Sequence, residues 1–219
     1  MPTDWLLVVR CIAMNCIFVH GLGQEASSWD RTISLLGTGY QASSPDLFQL
    51  LGDQTADYNN LYSIFSKFCD EQTEPLNLCG LSLGAILAMQ YAIEQPDRVR
   101  SIILIGAQYK MPRMLLGIQS GVFRFMPNST FQKMGMSKSN MIQLMGSMAA
   151  LDYSDRLKDI GCSALIVCGE KDKANMKAAQ SLSDQIVNAR LEIIAGAGHE
   201  INTEAPEKLA DVIRGFWKN

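Results

Sequence analysis

Residues 76–94 read LNLCGLSLGAILAMQYAIE, and this stretch decides the fold. Leu76–Cys79 is a short apolar run of the kind that forms a strand covered on both faces. Leu83–Glu94 reads as a helix, closed by Pro96 because a residue before proline is pushed out of helical geometry. Between them Gly80-Leu81-Ser82-Leu83-Gly84 fits G-x-S-x-G, a sharp strand-to-helix turn. A serine on such a turn sits in strained backbone, and the flanking glycines give the turn its space. The geometry lifts the Ser82 hydroxyl into the cleft at the carboxyl end of the sheet. It also leaves the Leu83 N–H at a helix start, free to face a developing oxyanion. A helix-capping serine accounts for Ser82 alone, but not for two glycines at this spacing.

Outward from this turn, short apolar runs alternate with longer helical patterns, which predicts a parallel sheet with crossover helices. The expected strands are Cys16–Val19, Tyr40–Ser43, Leu76–Cys79, Val99–Ile105, Ala164–Val167 and Arg190–Ile194. Helices are expected at Trp29–Leu36, Thr55–Glu71, Leu83–Glu94, Met176–Ile186 and Glu204–Trp217. The class is α/β, a mostly parallel sheet of about six to seven strands with helices on both faces. The 219 residues fit a single domain over 1–219.

One segment breaks the rhythm. Residues 108–150 hold no strand signal, only helix-like stretches at Met111–Phe125 and Ser137–Ala149 around Pro127, Asn128 and Ser129. Eight of the twelve methionines fall in this segment. An insertion after a strand, rich in flexible apolar side chains, reads as a small helical lid over a pocket. The plainer alternative is a helical excursion whose methionines fill core. Met111, Met114, Phe123, Phe125, Phe131 and Met145 are the candidate pocket residues, suited to a short or medium acyl or aromatic group.

A neutral serine hydroxyl needs a base, and the chain has two histidines, His20 and His199. His199 follows the last expected strand in Gly196-Ala197-Gly198-His199, at the same sheet edge as Ser82. The base needs an acid to fix its tautomer. Asp172 follows Ala164–Val167 in Gly169-Glu170-Lys171-Asp172, with Glu170 and Asp46 as competitors. Taken singly, each is equally a surface residue; together Ser82, Asp172 and His199 are the candidate catalytic set. His20-Gly21-Leu22-Gly23 follows the first strand, and its turn offers the Leu22 N–H as a second oxyanion donor. His20 reads as structural, holding that loop.

Composition narrows the classes further. A net charge of −3 gives no support for nucleic-acid binding, which leaves a basic footprint. The six cysteines form no C-x-x-C pair, so buried thiols in a reducing cytoplasmic setting are expected rather than disulfides or a metal site. Trp5–Ile12 is apolar but too short to span a bilayer and lacks the marks of a signal peptide. Residues 1–13 read as a weakly attached extension or an upstream start. Oligomeric state is not legible.

With these motifs in order, the chain from Cys16 onward resembles the α/β-hydrolase superfamily. The recurring features are His20–Gly23 with Trp29, Pro45–Leu47, Gly80–Gly84, Pro96–Val99, Gly169–Asp172 and Gly196–His199. The resemblance implies an α/β-hydrolase fold, with a lid after the strand ending near Ile105. It implies no cofactor and no metal. Two departures stand out: at most thirteen residues precede Met14, so the N-terminal strands are expected to be reduced, and the insertion is short. The function implied is a serine hydrolase cleaving a small apolar ester or thioester. Alternatives on the same fold are carbon–carbon bond hydrolysis, lyase or acyl-transfer chemistry, and a ligand receptor. A more remote rival is a dinucleotide-binding domain, since Gly21–Ala26 fits G-x-G-x-x-A and Asp46 follows about twenty residues on.

Overall fold

The computed structural model describes residues 13–72, 75–111, 127–128, 131 and 136–218. Six strands form one sheet among the described residues: β1 (Met14–Val19), β2 (Tyr40–Ser43), β3 (Leu76–Leu81), β4 (Val99–Ile105), β5 (Ser163–Gly169) and β6 (Ala189–Ile194). Their order is β2-β1-β3-β4-β5-β6, and every neighbouring pair is parallel.

The helices are α1 (Asp30–Leu36), α2 (Leu47–Leu51), α3 (Tyr58–Asp70), α4 (Leu83–Glu94), α5 (Lys138–Met148), α6 (Lys173–Gln185), α7 (Ile201–Glu204) and α8 (Pro206–Trp217). They cover both faces, which explains the near-continuous apolar runs of the central strands. Ile17, Leu78, Leu104 and Ile166 point to one side and pack with Leu61, Phe65, Met89 and Leu182 from α3, α4 and α6. Their sequence neighbours Phe18, Cys79, Ile103 and Val167 point to the other, against Leu36, Leu209, Ile213 and Trp217 from α1 and α8. Two periodicities thus meet: alternation along each strand divides the core between the two helical layers.

Several boundaries differ from the sequence expectation for local reasons. The first helix is preceded by a 3₁₀ turn at Ala26–Trp29, and α6 begins earlier than expected because Asp172 caps it, accepting the Asn175 N–H. The last helix is two helices: Pro206 starts α8 afresh at a position where its missing N–H costs nothing. Helix α2 was not expected; Asp46 caps it by accepting the N–H groups of Phe48 and Gln49. Within the insertion, α5 is capped by Ser137, and its Ser147 hydroxyl accepts the Tyr58 N–H at 2.8 Å, tying α5 to the start of α3. The helix expected at Met111–Phe125 lies, after Met111, outside the described residues, as do residues 1–12. No helix among the described residues is long and apolar enough to cross a membrane.

Because the sheet is parallel, every strand delivers its carboxyl end to one edge. Successive connections run to opposite sides of β1, toward β2 and then β3, so the crevice beyond β1 and β3 is a topological switch point. His20-Gly21 leaves β1 there and Ser82 leaves β3.

Candidate active site

Ser82 has φ 53° and ψ −111°, the one non-glycine residue with positive φ among those described. Such backbone costs on the order of 1–3 kcal/mol and persists only where its surroundings hold it. The Ser82 N–H donates to the Ile105 carbonyl at 2.8 Å, and the Ser82 carbonyl accepts from Ile86 to open α4. The two motif glycines are required by contact. A Cβ on Gly80 would lie 2.3 Å from the Gly84 oxygen, and one on Gly84 would lie 2.2 Å from the Val19 oxygen. Helix α4 therefore sits directly on the backbone leaving β1. Gly21 faces the turn, with its Cβ position 3.5 Å from the Ser82 Cβ. Among the described residues no hydrogen bond engages the N–H of Leu22 or of Leu83.

Asp172 and His199 meet from neighbouring loops. The β5 and β6 exits are joined backbone to backbone, with the Lys171 N–H donating to Ala197 at 2.9 Å. Gly169 makes that approach possible, since a Cβ there would stand 2.0 Å from the Gly198 oxygen. The His199 Nδ1–H donates to Asp172 Oδ2 at 2.7 Å. That bond holds the His199 pKa above its ordinary value, outweighing burial, which lowers it. For Asp172, burial pushes the pKa up, but the bonds from His199 and Asn175 prevail and keep it below the usual carboxylate range.

The competing carboxylates are engaged elsewhere. Glu170 accepts the Gly196 N–H at 2.8 Å, and Asp46 caps α2. His20 holds its loop: Nδ1 donates to the Gly21 carbonyl, and Nε2 accepts the Leu47 N–H. Burial lowers its pKa, so the ring stays neutral. The Gly21–Ala26 turn leads into the 3₁₀ turn Ala26–Trp29 rather than directly into an α-helix, and Gln24 within it pairs with Asn202 of α7 through both amides, at 3.1 and 3.2 Å. The described cysteines are free thiols, and burial raises Cys168, beside Asp172, to about 11.

Three contributors carried no clear sequence signal. Gly106, with φ 56°, lies against the His199 ring, where a Cβ would be 2.8 Å from Cε1. It follows Ile105, whose carbonyl anchors Ser82, so the exit of β4 touches both the turn and the histidine. Glu204 accepts the N–H groups of Gly198 and Glu200, bracing the loop on either side of His199. Asn175 binds both Asp172 oxygens; its place three residues after a helix-capping aspartate is the one hint the sequence offered.

Of the candidate pocket residues, Met111 lines a cavity of about 780 Å³ with Tyr109, Leu151 and Ala178. Phe131 and Met145 are buried in the hydrophobic core. Met114, Phe123 and Phe125 lie outside the described residues. The cavity walls include Gln108 and Ala174, on the Asn175 side of the acid, but not Ser82 or His199.

Comparison with known proteins adds four findings. The family model described as "Alpha/beta hydrolase family" matches residues 16–212. The (E)-2-((N-methylformamido)methylene)succinate hydrolase of Acinetobacter baylyi is 22% identical over 236 residues, spanning 91% of this chain and 89% of that protein. MenH from S. aureus superposes with a TM-score of 0.78 at 19% identity, covering 94% of this chain and 93% of its own. A thermophilic esterase from Thermogutta terrifontis gives 0.76 at 20% identity, covering 94% and 90%.

Proposed function

The chain belongs to the alpha/beta hydrolase family, and on that premise we propose that it is a serine hydrolase cleaving a small apolar ester or thioester through an acyl-enzyme on Ser82. One observation carries this reading. The strained Ser82 turn and the Asp172-bound His199 stand at one sheet edge, both against the β4 exit at Ile105-Gly106. In the proposed reaction His199 takes the Ser82 proton through Nε2 as the hydroxyl attacks the carbonyl. The free N–H groups of Leu83 and Leu22 receive the oxyanion, each worth about 3–4 kcal/mol. The His199 imidazolium protonates the leaving group, the neutral ring then activates water, and Asp172 stays ionised throughout. Water aside, every step uses protein groups. The free buried thiols and the esterase neighbour support a cytoplasmic carboxylesterase-like role.

A fluorophosphonate probe tests the assignment. Adduct on Ser82, located by peptide mass spectrometry and lost in His199→Ala, is the expected result. A folded wild-type protein that takes no label, and hydrolyses nothing in a panel of esters and thioesters, is not this enzyme.

The pH profile follows with a definite sign. His199 accepts a proton only when neutral, and Asp172 raises its pKa. We therefore expect kcat/KM to fall as pH drops through a value above the ordinary imidazole pKa of about 6.5. Asp172→Asn should move that limb to lower pH and cut kcat on the order of 10⁴-fold, through loss of the charge and of the correct tautomer. A limb that stays in place in the variant would show that Asp172 is not the partner.

A further inference from the structure

We propose that Asn175 is a positioning residue for the acid–base pair and that Gln108 sets its orientation; this rests on the assignment of Asp172 and His199 above. Asp172 is buried, and a buried carboxylate needs donors for both oxygens. Oδ2 takes the His199 Nδ1–H at 2.7 Å. Among the described residues every other bond to this carboxylate comes from Asn175. Its Nδ2 stands 2.9 Å from each oxygen, and its backbone N–H is 3.3 Å from Oδ1. The same Nδ2 lies 3.1 Å from His199 Nδ1, so the amide fills the notch between acid and base. Because Nδ1–H is already given to Asp172, that contact is one of packing, and the amide protons go to the carboxylate.

The arrangement works in only one sense of the amide. Turned over, Asn175 would set its carbonyl oxygen against two carboxylate oxygens. Gln108 prevents this by donating Nε2–H to Asn175 Oδ1 at 2.8 Å. Gln108 lies two residues beyond Gly106, on which the His199 ring rests. The exit of β4 therefore supports the histidine directly and the aspartate through Asn175. The amide prevents Asp172 from rotating away from His199 and offsets the burial that works against its charge.

A plain helix-capping role is separable. The cap of α6 uses the backbone N–H of residue 175, which Asn175→Ala retains. The test uses the full chain, with Asn175→Ala, Asn175→Asp, Gln108→Ala and Gln108→Glu. Two readouts apply: the downfield proton resonance of His199 Nδ1–H against pH, which needs no turnover, and kcat and KM against pH. Asn175→Ala should weaken or broaden the resonance and lower kcat about 10–100-fold, with KM little changed. Asn175→Asp adds a negative charge at the pair and should raise the His199 pKa, and with it the acid limb, by about one unit. Gln108→Glu cannot donate to Oδ1 and should turn the amide, matching Asn175→Ala, whereas Gln108→Ala should be milder. If Asn175→Ala and Gln108→Glu fold and leave resonance, limb and kcat unchanged, the proposal is overturned. If the wild type lacks an activated serine, the hydrolase reading fails, yet the resonance still decides the role of Asn175.

Discussion

Ser82→Ala is expected to lower kcat on the order of 10⁶-fold while leaving the fold intact. The loss is larger than for Asp172→Asn because the serine oxygen forms the acyl bond, whereas the aspartate acts through His199. Stability should hardly change, with Tm within about 1 °C of wild type, because alanine keeps the Cβ that makes φ 53° costly. Ser82→Gly separates the two effects. It should be equally inactive, yet more stable by about 1 kcal/mol, seen as a Tm gain of about 2–4 °C. Glycine reaches positive φ without steric cost, and that gain exceeds its extra unfolded-state freedom. Ester hydrolysis and calorimetry on the three proteins decide the matter. Wild-type turnover by Ser82→Ala would remove Ser82 from the chemistry. A Ser82→Gly protein no more stable than wild type would show that the turn stores no strain.

Gly84→Ala carries the largest expected structural effect. The added Cβ would stand 2.2 Å from the Val19 oxygen, 2.6 Å from the Val19 carbonyl carbon and 2.8 Å from the His20 oxygen. These are backbone atoms at the end of a central strand and cannot swing aside as a side chain would. Helix α4 must lift off β1, opening a core in which Leu83, Ala85, Leu87 and Ala88 are almost fully buried. A cost above about 3 kcal/mol is expected, as an early unfolding midpoint in urea or as insoluble protein. The displacement also moves the His20–Gly23 loop, so any folded fraction should label poorly with fluorophosphonate. Gly215→Ala serves as the control. It lies in α8 with nothing within 4 Å of its Cβ position, and helix propensity alone should add up to about 1 kcal/mol. Equal stability of the two variants would mean that α4 does not rest on the β1 backbone.

The sequence and the structure agree most closely where the cause is local. Strands β2 and β4 and helix α4 have the boundaries that the pattern predicts; for β4 and α4 the apolar run and Pro96 set them within a few residues. Boundaries shift where a cap or a proline a few residues away intervenes, as at Asp172 for α6 and Pro206 for α8. Helix α2 is not predicted because five residues give too short a period to recognise, although Asp46 stands in the sequence as a competitor for the acid and as part of the dinucleotide pattern. The sharing of the core between two helical layers was legible in outline, since strands apolar on both faces require both to be covered.

The chemical types of the site were legible for the same reason: a serine between two glycines after a strand, and an aspartate and a histidine after later strands, are one-dimensional patterns. Their support was not. Gly106 is required by a ring that belongs to residue 199, Gly169 by the Gly198 carbonyl, and the setting of the Asn175 amide by Gln108. Glu170 and Asp46 matched Asp172 as carboxylates, and only the meeting of two loops shows which one reaches His199. Backbone preference and hydrophobic alternation act between near neighbours, so the sequence by itself determined the strands, the serine turn and the parallel edge that gathers the loops. Hydrogen-bond choice among similar side chains depends on distances across the chain, and the tertiary structure alone decided it.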